Sequence, residues 1–174
     1  DTERFVIVDD YEISGGGIIT GLLNNPELSG MLNTRNIKWH KSSITHDVRE
    51  RYYRQRAQMI LITGAKEIDK KSIARQLEKM LLEEGKIAYY MGIGNMLYGV
   101  NADIKSESSM ISQEERREHI RRLGELSNII LDAGNILVVT ASDLLAQELD
   151  TLRTIIQTDE ILTVWIGKPE TRAK

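Results

Sequence analysis

Apolar positions along this chain change their spacing several times, and each spacing predicts a type of element. Continuous apolar runs are typical of strands buried on both faces; they occupy residues 59–62, 87–91, 136–139 and 161–166. Apolar residues spaced three and four apart predict helices between them, at residues 48–56, from Ile73 to a stop at Gly85, and at 113–133 and 144–156. Alternating strands and helices predict an α/β fold: a mostly parallel sheet with helices on both faces.

The first 38 residues follow a different pattern. Residues 5–8 (Phe-Val-Ile-Val) predict a strand, and residues 11–19 predict a second strand with a flexible or bulged turn at its three glycines. Two strands alone are only marginally stable in water. They are therefore either a terminal hairpin that packs on the main domain or the end of an upstream β-barrel domain. Residues 21–38 are rich in turn formers and predict a linker.

Composition removes several classes of function. The 174 residues include 23 Lys plus Arg and 26 Asp plus Glu, a net charge of −3, which argues against sequence-independent binding of nucleic acid. The absence of cysteine excludes a disulfide scaffold, a Cys-ligated metal site and a thiol nucleophile. No apolar run approaches the roughly 20 residues of a membrane helix, and no signal-peptide pattern opens the chain. We therefore expect a cytoplasmic location. The chain begins with Asp1 rather than Met, which indicates a fragment or a processed product.

The loop after the first buried strand carries the chain's candidate phosphate site. Ligands of open α/β sheets bind beyond the carboxyl ends of the strands. There the sequence reads GAKEIDKKS over residues 64–72, and a phosphate loop has the form G-x-x-x-x-G-K-[ST]. Gly64 and Lys70 match this form, whereas Asp69 stands at the second glycine and Lys71 at the hydroxyl position. Ser72 comes one residue late.

Both departures weaken the expected site. A side chain at Asp69 limits how far backbone N–H groups can wrap a phosphate, and its carboxylate would repel the phosphate. Lys71 lacks the hydroxyl that normally holds Mg²⁺. Two interpretations stay open. One is a vestigial phosphate loop with Gly64, Lys70 and Ser72 as nucleotide-binding candidates; the other is an ordinary strand–turn–helix without a ligand.

Several segments resemble adenosine 5′-phosphosulfate (adenylylsulfate, APS) kinase. They are NIKWHKSSIT at 36–45, the strand–loop–helix at 59–82, YGVNAD at 98–103 and SQEERREHIRRLGELSNIILDAG at 112–134. The resemblance implies a P-loop NTPase-like fold. It also implies transfer of the γ-phosphoryl group of ATP to the 3′-hydroxyl of adenylylsulfate, with Asn101, Arg116 and Arg121 as vestigial substrate-binding candidates.

The same resemblance implies that several functional residues of the family are replaced in this chain. Gly94 stands where the family has its catalytic base, and Ala102 stands where it has an arginine. The position of the aromatic residue that stacks on the substrate falls near Ile111. We therefore expect a degenerate, catalytically inactive domain with a structural or regulatory role, no metal site and no cofactor. The alternatives are an active or weakly active kinase that uses ATP and Mg²⁺, and a sensor that binds ATP or adenylylsulfate without turnover. The loop at 105–112 is expected to be mobile.

A second resemblance concerns the amino-terminal strands. RFVIVDDYEISGGGII at 4–19 resembles the closing strands of the last β-barrel domain in the GTPase (large) subunit of sulfate adenylyltransferase. This implies upstream GTPase and β-barrel domains in the same chain, with the small subunit of sulfate adenylyltransferase and a homodimer as expected partners. The predicted boundaries are a barrel tail at 1–20, a linker at 21–38 and the kinase-like domain at 39–174. Neither nucleic acid nor a membrane is an expected partner.

Overall fold

A computed structural model describes residues 3–9, 12–19, 26–40, 42–92, 95–104, 112–156 and 160–167. The chain divides into two compact units, residues 1–41 and residues 42–174. The predicted roles of 1–20, 21–38 and 39–174 as barrel tail, linker and kinase-like domain stay predictions.

The first unit contains an antiparallel strand pair and a helix. Strand β1 (Glu3–Asp9) pairs with β2 (Glu12–Ile19), as predicted. Ile7 pairs with Gly15 and Val8 with Ile13, so Ser14 is the extra residue of a β-bulge beside the glycines.

Helix α1 (Pro26–Lys38) follows, within the segment that its turn formers predicted to be a linker. The turn formers gave no indication of this helix. Ser and Asn disfavour a helix by only a fraction of a kcal/mol each, and Pro26 suits the first helical position because the N–H it lacks needs no partner there.

The second unit is built on four parallel strands. They are β3 (Gln58–Gly64), β4 (Ala88–Met91), β5 (Ile136–Thr140) and β6 (Ile161–Ile166), in the order β4-β5-β3-β6. Every residue of the central strand β5 is buried, and so is β3 apart from the half-buried Gln58 and Ile60. This two-sided burial explains why both strands are continuous apolar runs rather than alternating ones.

Four helices accompany this sheet: α2 (His46–Tyr53), α3 (Lys70–Glu83), α4 (Gln113–Asp132) and α5 (Ala146–Ile155). The crossover from β3 to β4 runs across the sheet in the opposite direction to those from β4 to β5 and from β5 to β6. Right-handed crossovers therefore place α3 on one face and α4 with α5 on the other. Contacts of α3 with β4 and β5, and of α4 with α5, agree with this arrangement. The predicted α/β fold class is confirmed.

The core beneath α3 is formed by Ile62, Ala74 and Val138, with Leu77 and Leu81 packed against them. The same helical pattern includes Ile73 and Met80, which are exposed. The helix ends at Glu83, and Gly85 follows with a φ of +74°, close to the predicted stop.

Three further segments were predicted incompletely, were not predicted, or lie mostly outside the described residues. Helix α2 begins at His46, and Thr45 is its N-cap by position but makes no side-chain capping bond. A π-helix over Met96–Val100, which the apolar pattern did not predict, follows β4. Of the loop predicted at 105–112, only Ser112 lies within the described residues, where it caps α4 in a reciprocal capping box with Glu115. No helix among the described residues is both long and apolar enough to cross a membrane.

Candidate functional site

The candidate site lies at the carboxyl end of β3, where the chain turns into α3. Gly64 ends the strand with a φ of +145°, and a Cβ added there would overlap the backbone carbonyl oxygen of Ile166 on β6. Close approach of β6 and the backbone angle both require glycine at this position. Gly64 is thus explained by strand packing, whether or not a phosphate binds.

Lys70 turns back into the loop that precedes it. The side chain is 4% exposed, and its Nζ donates to the carbonyl oxygens of Ala65 and Ile68, the latter at 3.3 Å. Two backbone donors of this turn are also engaged, since the Ile68 N–H donates to the Ala65 carbonyl and the Lys70 N–H to the Ile68 carbonyl. The lysine that would bind a phosphate is therefore hydrogen-bonded to the loop that would surround it.

Asp69 caps the amino terminus of α3. Its Oδ1 accepts from the Ser72 N–H at 3.1 Å, and its Oδ2 accepts from the Ser72 hydroxyl at 2.6 Å. These hydrogen bonds lower the pKa of Asp69, so the carboxylate stays ionised at neutral pH. A helix amino terminus after a glycine-containing loop is where a phosphate would bind. Here the Asp69 carboxylate occupies that position, and the Ser72 hydroxyl donates a hydrogen bond to it.

Arg116 and Glu148 join α4 to the start of α5. The Arg116 guanidinium binds both carboxylate oxygens of Glu148, with Nη2 to Oε2 at 2.9 Å, and donates to the Asp143 carbonyl at 3.0 Å. Glu148 is 7% exposed and also accepts from the Leu145 N–H at 2.8 Å. The hydrogen bond to Glu148 raises the pKa of Arg116. The structure thus places this predicted substrate-binding arginine in an ion pair that fixes the loop after β5.

Arg121 and Arg122 share the carboxylate of Glu118. Arg121 binds both of its oxygens at 2.8 Å, and Arg122 binds Oε1 at 2.8 Å. Arg122 also makes a two-pronged pair with Asp103 and donates to the Val100 carbonyl. Hydrogen bonds from these arginines lower the pKa of Asp103 and of Glu118 to about 2 each. Glu118 lies three and four residues before these arginines, so helix spacing alone brings the three charges together.

Asn101 differs from the other candidates because its side chain is buried without a partner. It is 2% exposed, and neither atom of its amide has a hydrogen-bond partner within the described part of the chain. A buried amide without partners is costly, which makes it a polar group that a ligand or water would satisfy. No hydrogen bond joins Asn101 to Lys70, Arg116 or Arg121 among the residues described.

Sequence reasoning missed the carboxylates that hold the arginines. Glu148 and Asp103 lie 32 and 19 residues from Arg116 and Arg122, so no local spacing signals these pairs. Gly94 and Ile111 lie outside the described residues. Within those residues, no group of three or more His, Asp or Glu side chains could hold a metal ion.

Comparisons with known proteins agree with the geometry at the level of the fold. The strand order and the loop-to-helix turn after β3 define a P-loop NTPase-like α/β domain. Among solved structures, a Cys-to-Ala mutant of the Mycobacterium tuberculosis APS kinase CysC superposes with a TM-score of 0.58 and 30% identity. The superposition covers 68% of this chain and 81% of that one.

Sequence comparisons then specify the family. A model of the adenylylsulphate kinase family matches residues 56–174. The probable adenylyl-sulfate kinase of Halalkalibacterium halodurans is 30% identical over 143 residues, 80% of this chain and 67% of that protein. Adenylyl-sulfate kinase 1, chloroplastic, of Arabidopsis thaliana is 31% identical over 150 residues, 86% of this chain. The chain belongs to the adenylylsulphate kinase family.

The curated relatives are longer than this chain. It spans 52% of the length of the Arabidopsis protein. It is also 26% identical over 168 residues to the bifunctional enzyme NodQ of Rhizobium meliloti, where the match covers 97% of this chain and 24% of that protein. Coverage of 97% includes most of the first unit, which the family model does not reach.

Proposed function

We propose that this chain is a degenerate adenylylsulfate kinase-like domain that has lost catalysis and serves a structural or regulatory role in sulfate activation. The observation that carries the proposal is the position of Asp69, whose carboxylate takes the N–H and hydroxyl of Ser72 at the amino terminus of α3. An ATP phosphate would need that same terminus. Binding it would require the carboxylate to leave and two negative groups to approach each other.

The groups that would neutralise a transferring phosphoryl group are also engaged elsewhere. Phosphoryl transfer relies on positioning and on stabilising charge with cations. The Lys70 ammonium is held by loop carbonyls, and Arg116 and Arg121 are held by Glu148 and Glu118. The residues do not fit Mg²⁺ either, because Lys71 stands at the hydroxyl position and the Ser72 hydroxyl is bonded to Asp69.

The proposed setting is a longer protein. The match to the bifunctional enzyme NodQ covers 97% of this chain, including most of the antiparallel strands of the first unit. We propose that these strands belong to a β-barrel domain behind a GTPase domain, in the large subunit of a sulfate adenylyltransferase that also binds a small subunit. A kinase-like domain in that position would contribute to folding, assembly or regulation of the subunit.

An active or weakly active kinase is the second candidate, and family membership favours it. Relatives at 30–31% identity are named adenylyl-sulfate kinases, and the unpartnered amide of Asn101 is a polar group available to a ligand. Under this alternative Lys70 would turn from the loop carbonyls toward ATP.

The test is formation of 3′-phosphorylated adenylylsulfate from ATP, Mg²⁺ and adenylylsulfate, with the Halalkalibacterium halodurans relative as the positive control. The proposal predicts no product above a reaction without protein. Product that disappears in Lys70→Ala would contradict the proposal and establish the kinase. If no product forms, calorimetric titration with adenylylsulfate separates a structural domain, which gives no saturable heat, from a sensor, which does.

A further inference from the structure

Helix α2 lies at the surface of the second unit. None of its eight residues is buried, and isolated helices this short are marginal in water. The Tyr53 ring and the Cβ of Arg49 lie against Gly134, where an added Cβ would come within 2.9 and 3.1 Å of them. Three of the eight residues of α2 are exposed.

An apolar groove lies beside this helix. It has a volume of about 370 Å³ and is lined by Ile44, Val48, Arg49, Tyr52 and Tyr53, and we call it the α2 groove. Ile44 is 50% exposed and Tyr52 is 83% exposed. Val48 and Tyr52 lie one helical turn apart, so they form one continuous apolar row. Exposed aromatic and aliphatic side chains around a concave surface are typical of a binding site.

The segment that carries the α2 groove has a net positive charge. Residues 46–56 contain four arginines and two carboxylates, so 4 − 2 gives +2 in a chain whose net charge is −3. The Arg51 guanidinium donates to the Asp47 carbonyl at 3.4 Å. Neither Arg49 nor Arg51 has an ion pair with a carboxylate in the part of the chain that the structure describes. These cations are thus available to carboxylates from outside.

We propose that the α2 groove docks an acidic segment of another protein or domain, whose aliphatic or aromatic anchor side chain sits against Val48 and Tyr52. Its carboxylates would pair with Arg49 and Arg51. Charge complementarity favours this occupant. A second copy would bring the same positively charged segment, residues 46–56, against itself, and such like-charge contacts oppose docking. An aliphatic wall beside the tyrosines favours a side-chain anchor over stacked bases.

This inference rests on the proposed function, because a domain kept for assembly or regulation needs a surface that a partner recognises. The test uses the full chain, immobilised and screened against a phage-displayed library of random dodecapeptides. We expect the recovered peptides to be acidic around one aliphatic or aromatic residue. A recovered peptide, labelled with fluorescein, then gives dissociation constants by anisotropy.

Two variants and two matched controls decide the location. Arg51→Glu and Tyr52→Ser should each weaken binding of that peptide by about tenfold or more, as expected for a reversed charge and a lost anchor. The controls are Arg117→Glu, an exposed arginine on α4, and Tyr98→Ser, a tyrosine that is 87% exposed. Both controls should change binding by less than about twofold. Circular dichroism confirms that each variant is folded.

Three results would overturn the α2 groove as this docking site. They are recovered peptides without acidic enrichment, equal binding by the variants and the native chain, and a dimer in sedimentation that Tyr52→Ser dissociates. The groove would be reassigned to nucleic acid if a labelled oligothymidine bound more tightly than the peptide and Arg51→Glu weakened that binding. The proposed function fails independently, through product in the adenylylsulfate phosphorylation assay, which the α2 variants should leave unchanged.

Discussion

The phosphate loop and the arginine cluster of α4, Arg116, Arg121 and Arg122, both have charged side chains bonded to other groups of the chain, but over different distances in sequence. In the loop, Lys70 reaches back five residues to Ala65, and Asp69 reaches forward three to Ser72. In the arginine cluster, the pairs with Asp103 and Glu148 span 19 and 32 residues. The first set is a local turn, whereas the second connects separate elements.

This difference separates contacts that block a ligand from contacts that hold the domain together. Releasing Asp69 from Ser72 changes one helix cap, so we expect the loop to be convertible by substitution while the fold persists. Releasing Arg116 from Glu148 would leave a carboxylate in a nearly buried position without its cation, which is costly. Arg116, which the family resemblance nominates for substrate, is therefore harder to free than the loop.

The largest expected loss of stability follows substitution of Gly64, where the loop begins. Gly64→Ala should lower the free energy of unfolding by about 3 kcal/mol or more, because the new Cβ meets the Ile166 backbone and the φ of +145° is strained. Gly85→Ala is the control: its φ is +74° but nothing lies within 4 Å of an added Cβ, so about 1 kcal/mol is expected. Urea unfolding measures both, and equal losses would show that strand packing at Gly64 is not limiting.

The next largest loss of stability is expected when the ion pair of Arg116 with Glu148 is broken. Glu148→Ala should lower the free energy of unfolding by about 2 kcal/mol, since Arg116 and the Leu145 N–H both lose their acceptor. Glu148→Gln keeps one acceptor oxygen and should lose less. Glu114→Ala, at an exposed carboxylate in the first turn of α4, is the matched control and should lose about 0.5 kcal/mol or less. A loss at Glu148 no larger than at Glu114 would remove the distinction between the two regions.

The same distinction explains what the sequence could predict. The strands, the α/β order and the altered positions in the phosphate loop depend on local patterns, and the structure has each of those elements. Helix α1 was missed because turn-forming residues lower helix stability only slightly at each position. The partners of Arg116 and Arg122 could not be predicted, because the fold brings Glu148 and Asp103 to them from distant parts of the chain.

A smaller effect concerns acid stability. The pKa values of Asp103 and Glu118 are lowered to about 2 in the folded chain, from ordinary values of 3.8 and 4.5. The folded state therefore binds fewer protons, so the arginine cluster contributes its full stability above about pH 4.5 and loses it as the pH falls toward 2. We expect the melting temperature to fall through this window, and to fall less steeply in Asp103→Asn combined with Glu118→Gln. Parallel curves for the two proteins would contradict these charge pairs.

The most direct measurement is a calorimetric titration of ATP with Mg²⁺ into the native chain and into Asp69→Gly combined with Lys71→Ser. The double variant removes the carboxylate from the amino terminus of α3 and restores a hydroxyl at the metal-facing position. We expect no saturable heat with the native chain and measurable binding with the variant. We expect no turnover in either, because Gly94 supplies no base. Native binding as tight as that of the variant would contradict the claim that Asp69 closes the phosphate loop.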